Sequence, residues 1–495
     1  MNPIEGMLYG LSVATQPHNL IAALVGALLG TAIGVLPGLG PVAGAALVLP
    51  LTFSLEPVTG LIALAGIFYG CMYGGSTTSV LVNIPGETAS VVTCIDGYEM
   101  AKRGRAGAAL SVMAIGSFVA GTLSIVGVMF FAPPLSNLAL SFGPAEFFAL
   151  TTVGLVVLSR ISGGSFARSL FVTALGLLLA TVGMESITAI SRFDFGVLEL
   201  AHGVEIVPAA VGLFGISEVL FVVEDLVGVP RAIPVKLREL LPNREEWRRT
   251  IPAWGRGTVL GFVMGFLPGP MNVLSTFAAY RLEKAVAGRY RDQFGKGAIE
   301  GVAGPEAANN AAATAQFVPL LSLGLPFSAM LALLLAALMI QGVQPGPLLV
   351  VQRPEIFWGV MASMYIGNVA LLILNLPLVG LWVSILRIPL FVLLPCIVLY
   401  AMIGSYSVRN TTFDLWVLVG FGLLGYALRK LKFDLAPLIL ALVLGPLLER
   451  YFRTALFLSK GDPGIFLASP ISQVLWAAGL LVVLVGGIRG LLRRA

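Results

Sequence analysis

"GVLPGLGP" at residues 34–41 closes one long apolar run, and "GFLPGP" at residues 265–270 closes another. Each Pro-Gly pair interrupts a stretch otherwise apolar enough to sit in hydrocarbon, where any backbone group released from a helix must find a partner inside the protein. A second polar break follows each tip at nearly the same distance. From Pro37 to Ser76, which begins "STTSVLVNIPGE", is 39 residues; from Pro268 to Asn309, inside "GVAGPEAANNAAATAQFVP", is 41. The chain is therefore read as duplicated, each copy having a proline-glycine tip and a small, polar, proline-interrupted segment.

Composition supplies the setting. Of 495 residues, 57% are hydrophobic and only 11% charged, with a mean hydropathy of +0.95. A water-soluble globule carries about 25% charged residues, so that class is excluded. The apolar runs match the ~20 residues that a helix needs to cross a bilayer and lack the strict alternation of a membrane barrel. An all-α polytopic integral membrane protein follows, with about eleven or twelve transmembrane helices plus re-entrant hairpins. The opening residues carry no basic n-region and are read as mature protein rather than a secretory signal. Cys71, Cys94 and Cys396 show no paired spacing, and His18 and His202 are the only histidines, so neither a disulfide framework nor imidazole-bound metal is expected. No HExxH or other catalytic motif is present, so the chain is read as no enzyme and without a cofactor.

Basic residues set the expected orientation. No Lys or Arg precedes Lys102, and none lies between Gly297 and Gln352, whereas residues 231–257 and 281–297 hold 12 of the 30. Basic loops stay cytoplasmic, so these segments, Lys102 and the carboxyl-terminal "RGLLRRA" are expected inside. Acidic residues interrupt the 231–257 stretch and apolar runs flank it, which argues against nucleic acid. Basic residues flank the second tip on both sides and the first tip on neither. Two similar units of opposite charge asymmetry are read as inverted repeats, whose broken helices meet at a central site. The expected layout is a first repeat over residues 1–110 (tip 36–41, broken helix 73–87), intervening spans and a basic loop over 111–256, a second repeat over 257–345 (tip 267–270, broken helix 301–326), and carboxyl-terminal spans over 346–495.

The polar breaks carry the candidate site. Half-helix N-termini with nearby hydroxyls attract carboxylates, whereas exposed carbonyls and Asn amides suit Na⁺. Substrate binding is therefore assigned to Gly38, Gly40, Gly74, Gly75, Ser76, Thr77, Thr78, Asn83, Pro268, Gly269, Asn309 and Asn310, and the coupling ion, Na⁺ or H⁺, to Asn83, Glu306, Asn310 and Thr314. Glycines such as Gly38, Gly74, Gly75 and Gly304 serve equally as close-packing positions. Glu306 and Glu87 can equally cap helices. No metal beyond Na⁺ is expected.

"YGGSTTSVLVNIPGE", "GVLPGLGP", "FGKGAIEGVAGPEAANNAAA" and "GISEVL" resemble the large membrane subunit of the bacterial tripartite tricarboxylate transporter family, over essentially the whole chain. The resemblance implies a secondary carrier in the bacterial inner membrane, importing di- or tricarboxylate-like anions by alternating access. It implies two protein partners, a small membrane subunit and a periplasmic solute-binding protein, and coupling to a Na⁺ or H⁺ gradient. An anion channel, or a carrier without a binding protein, is the alternative. If residues of about 20–100 and 257–342 form one core, that core moves against the remaining spans, and analogy with other opposed-hairpin carriers favours a slide over a rocking motion.

Overall fold

The computed structural model describes residues 2–36, 39–161, 165–185, 188–224, 233, 235, 240–385 and 388–492. Helices dominate, and the only strands among these residues are the two-residue pair Gly183–Met184 and Ser191–Arg192. Seven helices are long and apolar enough to cross a membrane, and four shorter ones are apolar. The eleven or twelve spans expected from hydropathy exceed seven because other helices carry charged ends. Phe413–Lys430, for example, contains Asp414, paired with Arg409, and Arg429, paired with Glu218.

The first repeat begins after α1 (Pro3–Ala14) with α2 (Pro17–Val35) and α3 (Gly40–Thr52). These two helices form a hairpin whose open ends both lie on one face of the molecule. His18 at the start of α2 is 3.9 Å from Glu56, just beyond α3, and the Thr52 carbonyl accepts from Gln341 Nε2 at 2.9 Å. Pro37 and Gly38 of the tip lie outside the described residues. The long helix α4 (Pro57–Val82) then crosses the molecule, breaks, and is followed by α5 (Val91–Met100), which leads to Lys102 on the opposite face. A kink at Gly104, φ 75°, leads into α6 (Ala106–Ala139).

The next helices are α7 (Pro144–Ile161), α8 (Phe166–Ala180) and α9 (Ile206–Glu224). The second repeat then opens on the Lys102 face. Its hairpin is α10 (Arg244–Gly265) and α11 (Met271–Val286), whose arms are tied by Arg256 and Glu283 at 2.5 Å. Arg105 pairs with Glu246, and Asp96 accepts the backbone N–H groups of Gly295, Gly297 and Ala298 at 2.7–2.9 Å, so the basic segments of both repeats meet here. The broken helix α12 (Glu300–Ala315) and α13 (Phe317–Leu323) continues through α14 (Ala329–Ile340) to Gln341 on the far face. The two units thus run in opposite senses through the molecule. Beyond them lie α15 (Pro354–Asn375), α16 (Leu390–Arg409), α17 (Phe413–Lys430), α18 (Ala436–Leu458) and α19 (Pro470–Leu492).

One packing device is built twice. A Cβ on Gly26, Gly30 or Gly34 of α2 would meet the carbonyl oxygens of Ala63, Ile67 and Cys71 on α4 at 2.4–2.5 Å. In the second repeat, Gly257, Gly261 and Gly265 of α10 lie against the carbonyls of Gly304, Ala308 and Ala312 on α12, where a Cβ would come to 2.2–2.6 Å. Side-chain-free faces at four-residue spacing let the backbones touch, and this packing holds membrane helices together where burial of apolar surface cannot. The carbonyl partners are offset by a constant 241 positions, from 63 to 304 and from 71 to 312.

The same offset locates the breaks, at the far ends of the segments 73–87 and 301–326 in which they were expected. Asn83, φ 62°, and Gly324, φ 70°, each end a helix in the left-handed region and stand 241 positions apart. Ile84-Pro85 and Leu325-Pro326 follow, and Glu87 and Ser328 take matching extended conformations (φ −139° and −143°) before the next helix. The helix runs unbroken through Gly74 and Gly75, and equally through Pro305, Asn309 and Asn310. In this register Ser76 corresponds to Phe317 and Asn309 to Phe68, not to each other. Backbone shape was duplicated here, while side-chain polarity diverged.

Gly30→Ala is therefore expected to destabilise the protein by about 1–3 kcal/mol, because a methyl 2.5 Å from a backbone carbonyl cannot be relieved by changing rotamer. Gly154→Ala, with open space around it, should be neutral or mildly stabilising. Thermal melts of the purified variants check both.

Candidate substrate and coupling-ion site

Gly74 and Gly75 mark the point where three segments converge. Gly74 faces α2, where a Cβ would meet Thr31 O at 2.4 Å. Gly75 faces the broken segment: its carbonyl accepts the Gly86 N–H at 3.2 Å, and its own Cβ would strike Glu87 Cγ at 2.8 Å. The chain leaving the break at Asn83 therefore turns back to lie against α4 before α5 begins, and this return places Glu87 in the interior. Of the two readings left open for these glycines, their positions in the fold answer to close packing.

The hydroxyl run divides by partner. Thr77 and Thr78 donate to the carbonyls of Tyr73 and Gly75 on their own helix, the usual resting place for a hydroxyl inside a buried helix. Ser79 reaches across to Ser90 at 2.9 Å, and Ser76 reaches the second repeat, its Oγ lying 2.8 Å from Glu306 Oε1. Thr93 of α5 bonds the same Glu306 oxygen. Asn309, one turn along α12, donates to Glu87 Oε1 at 2.7 Å. Each repeat thus contributes one carboxylate to this cluster, and each is held by side chains of the other.

Asn310 extends the network to α6, donating to Ser117 Oγ at 2.7 Å, and Thr314 donates to the Asn310 carbonyl at 2.9 Å. Gln316 donates to Asn272, which follows the second tip, and Asn272 lies 3.9 Å from Met72 Sδ on α4. Ser76, Thr77, Thr78, Glu306, Asn309, Asn310 and Thr314 are all buried. Glu306 Oε2, Asn309 Oδ1 and Gln316 Oε1 are buried without a partner among the described residues. No Lys, Arg or His among them forms an ion pair with Glu87 or Glu306. The set can accept a cation or a proton at the carboxylates and offers hydroxyl and amide donors to an anion.

Other assigned residues stand apart from this cluster. Asn83 is exposed at its helix end and supplies backbone geometry rather than a ligand. Gly269, φ 127°, donates its N–H to Phe327 O at 3.1 Å, so the second tip, with Pro268, is pinned to the second break. Gly40 begins α3 with a positive φ of 56°. Gly38 lies outside the described residues. Thr93, Ser117, Asn272 and Gln316 were not singled out from sequence, since single polar residues beside apolar runs carry no signal until the fold brings them together.

A helical membrane protein with opposed hairpins and broken helices around a buried polar centre belongs to the transporter class. The sequence profile of the Tripartite tricarboxylate transporter TctA family matches residues 20–440, and the chain belongs to that family. It is 47% identical over 489 residues, 98% of this chain and 96% of the relative, to an uncharacterized 52.8 kDa protein in the TAR-I ttuC' 3' region of Agrobacterium vitis. It is 49% identical over 224 residues, 45% of this chain and 92% of the relative, to an uncharacterized protein in the TAR-II ttuC' 3' region of the same organism. No solved structure matches. The chain is thus a multi-pass subunit of a tripartite tricarboxylate transport system, a transporter rather than an enzyme, whose family works with other subunits.

Because Asn83 serves its left-handed conformation, Asn83→Gly should leave stability and uptake near wild type, whereas Asn83→Val should cost at least the ~1–2 kcal/mol of placing an ordinary residue there. Asn309→Ala should cost about 1–3 kcal/mol by removing the donor to Glu87, and much less in a Glu87→Gln background. A double-mutant cycle on melting free energies reads this coupling.

Proposed function

We propose that this protein is the membrane-embedded carrier of a carboxylate uptake system, moving the anion by alternating access and drawing on a cation gradient at Glu306 and Glu87. One observation carries the reading: two buried carboxylates, one from each inverted repeat, share a network of neutral donors and pair with no basic side chain among the described residues. An unpaired carboxylate at that depth costs several kcal/mol, so each needs a proton or a bound cation. Loading that cation removes the charge, and the anionic substrate can then enter the same centre. This order makes cation and anion move together.

Ser76, Thr93, Asn309 and Asn310 are the chain's own donors for this cycle. Ser76 and Thr93 hold Glu306 from the first repeat, and Asn309 holds Glu87 from the second, so both carboxylates travel with the paired repeats. The contacts of Asp96 with residues 295–298 and of Gln341 with Thr52 tie the repeats at both faces, which favours their moving as one body against α7, α8 and α16–α19. A periplasmic binding protein would deliver substrate to the face away from the basic loops, and the small membrane subunit would brace the stationary spans. The basic segments around Lys102, Arg249 and Arg256 face the cytoplasm in this reading.

Uptake of labelled citrate, malate and tartrate by the reconstituted three-component system, under separate Na⁺ and pH gradients, tests it. Wild-type uptake should saturate, show counterflow and depend on one gradient. Glu306→Gln should abolish that dependence and lower gradient-driven uptake at least about tenfold, the loss of ~1.4 kcal/mol of coupling. Unchanged gradient dependence in Glu306→Gln, or non-saturating conductance in the wild type, would overturn it.

A further inference from the structure

The second break differs from the first in what surrounds it. Where the first carries Glu87, the second carries Ser328, and its Gly324–Leu325 backbone lines a cavity of about 200 Å³ instead. That volume is several times the ~30 Å³ share of one water molecule, room for a small organic acid. Leu323, Met339, Val343 and Leu447 supply apolar wall, and Arg450, Gln344 and Tyr451 line the same cavity. Tyr451 is held by stacking on Phe147, ring centroids 5.2 Å apart. Arg450 and Gln344 are both exposed.

Arg450 is unusual for its place. It lies toward the end of α18 on the face away from Lys102, where neighbouring arginines are matched to carboxylates: Arg192 with Glu449, Arg409 with Asp414, and Arg453 with Glu449. Arg450 forms no ion pair among the described residues and opens instead onto the cavity beside Gly324. An arginine kept unpaired in an apolar-walled recess offers a carboxylate the charge-assisted, two-pronged contact that its fork of donors is shaped for.

We propose that Arg450, with Gln344 and Tyr451, forms a carboxylate-binding vestibule at the second helix break, separate from the buried Glu87–Glu306 network. The assignment rests on the carboxylate-transport reading for its ligand class. The vestibule holds the anion on the face away from the basic loops, next to the break through which it passes inward. The apolar walls accommodate the carbon skeleton and Arg450 takes one carboxylate.

Binding is read without transport. Met339→Cys, on the cavity wall and outside the three polar groups, in the full chain purified into phosphatidylcholine nanodiscs, is labelled with an uncharged water-soluble maleimide, and background from the native cysteines is subtracted using the unsubstituted chain. Citrate, malate or tartrate, against chloride at equal ionic strength, should slow labelling, and adding Arg450→Gln should weaken the protecting carboxylate's affinity about tenfold or more, the loss of one charge-assisted contact. Arg450→Lys should recover part of it. No protection by any of the three acids, or equal protection in Arg450→Gln, overturns the vestibule. Protection by phosphatidylglycerol in the disc, with none by the acids, also overturns it, since the site would then hold a lipid headgroup. If protection holds while the wild type transports none of these acids, only the transport reading fails; if transport proceeds without protection, only the vestibule does.

Discussion

Backbone-to-backbone contact between a glycine face and a row of carbonyls is the constraint from which the rest of this structure follows. In hydrocarbon, neighbouring apolar side chains gain little by leaving lipid, so helices are held by how closely they approach. Gly26, Gly30 and Gly34 bring α2 onto α4, and Gly66, Gly70 and Gly74 return the contact from α4. Gly257, Gly261 and Gly265 do the same for α10 and α12. Each hairpin is thereby fastened along a broken helix before any polar side chain is placed.

With the helices so close, the segments after the breaks have little freedom. Gly86 fits between Gly34 and Gly75 because none of the three has a side chain; a Cβ on Gly86 would come within 2.1 Å of the Gly34 carbonyl. That fit sets Glu87 at the depth of Asn309. Glu306, held within a continuous helix, meets Ser76 and Thr93 from the other repeat. Opposite senses of the two repeats therefore put one carboxylate from each into one network, where a chain of two parallel copies would have separated them.

A buried carboxylate without a basic partner is costly, and removing a partner from a buried ion pair is costlier still. Here the donors to Glu87 and Glu306 are neutral hydroxyl and amide groups. The ion pairs lie elsewhere. Arg105 with Glu246, Arg249 with Glu300 and Arg256 with Glu283 gather at the face where the basic segments meet, and they brace that end of both repeats. The centre thus holds carboxylates with neutral partners while ion pairs clamp the face beside it.

The duplication, its opposed senses and the membrane class were legible in the chain, because hydropathy, proline-glycine tips and the placement of arginine and lysine depend on local chemistry and the bilayer alone. Glu306, Asn309, Asn310 and Ser76 were legible as polar residues in apolar surroundings. The segments holding the breaks, 73–87 and 301–326, were legible too, but not which residues within them break the helix. Gly74-Gly75 and Pro305 look like helix breakers in isolation, yet Gly74 packs on α2, Gly75 admits the returning chain, and Pro305 is carried inside a helix. The true breaks, at Asn83 and Gly324, share a left-handed backbone and a following Ile-Pro or Leu-Pro rather than a side-chain type, so their equivalence shows only once both are folded. Thr93, Ser117 and Gln316 likewise became part of the site through contacts spanning tens to hundreds of residues, which tertiary packing alone brings together.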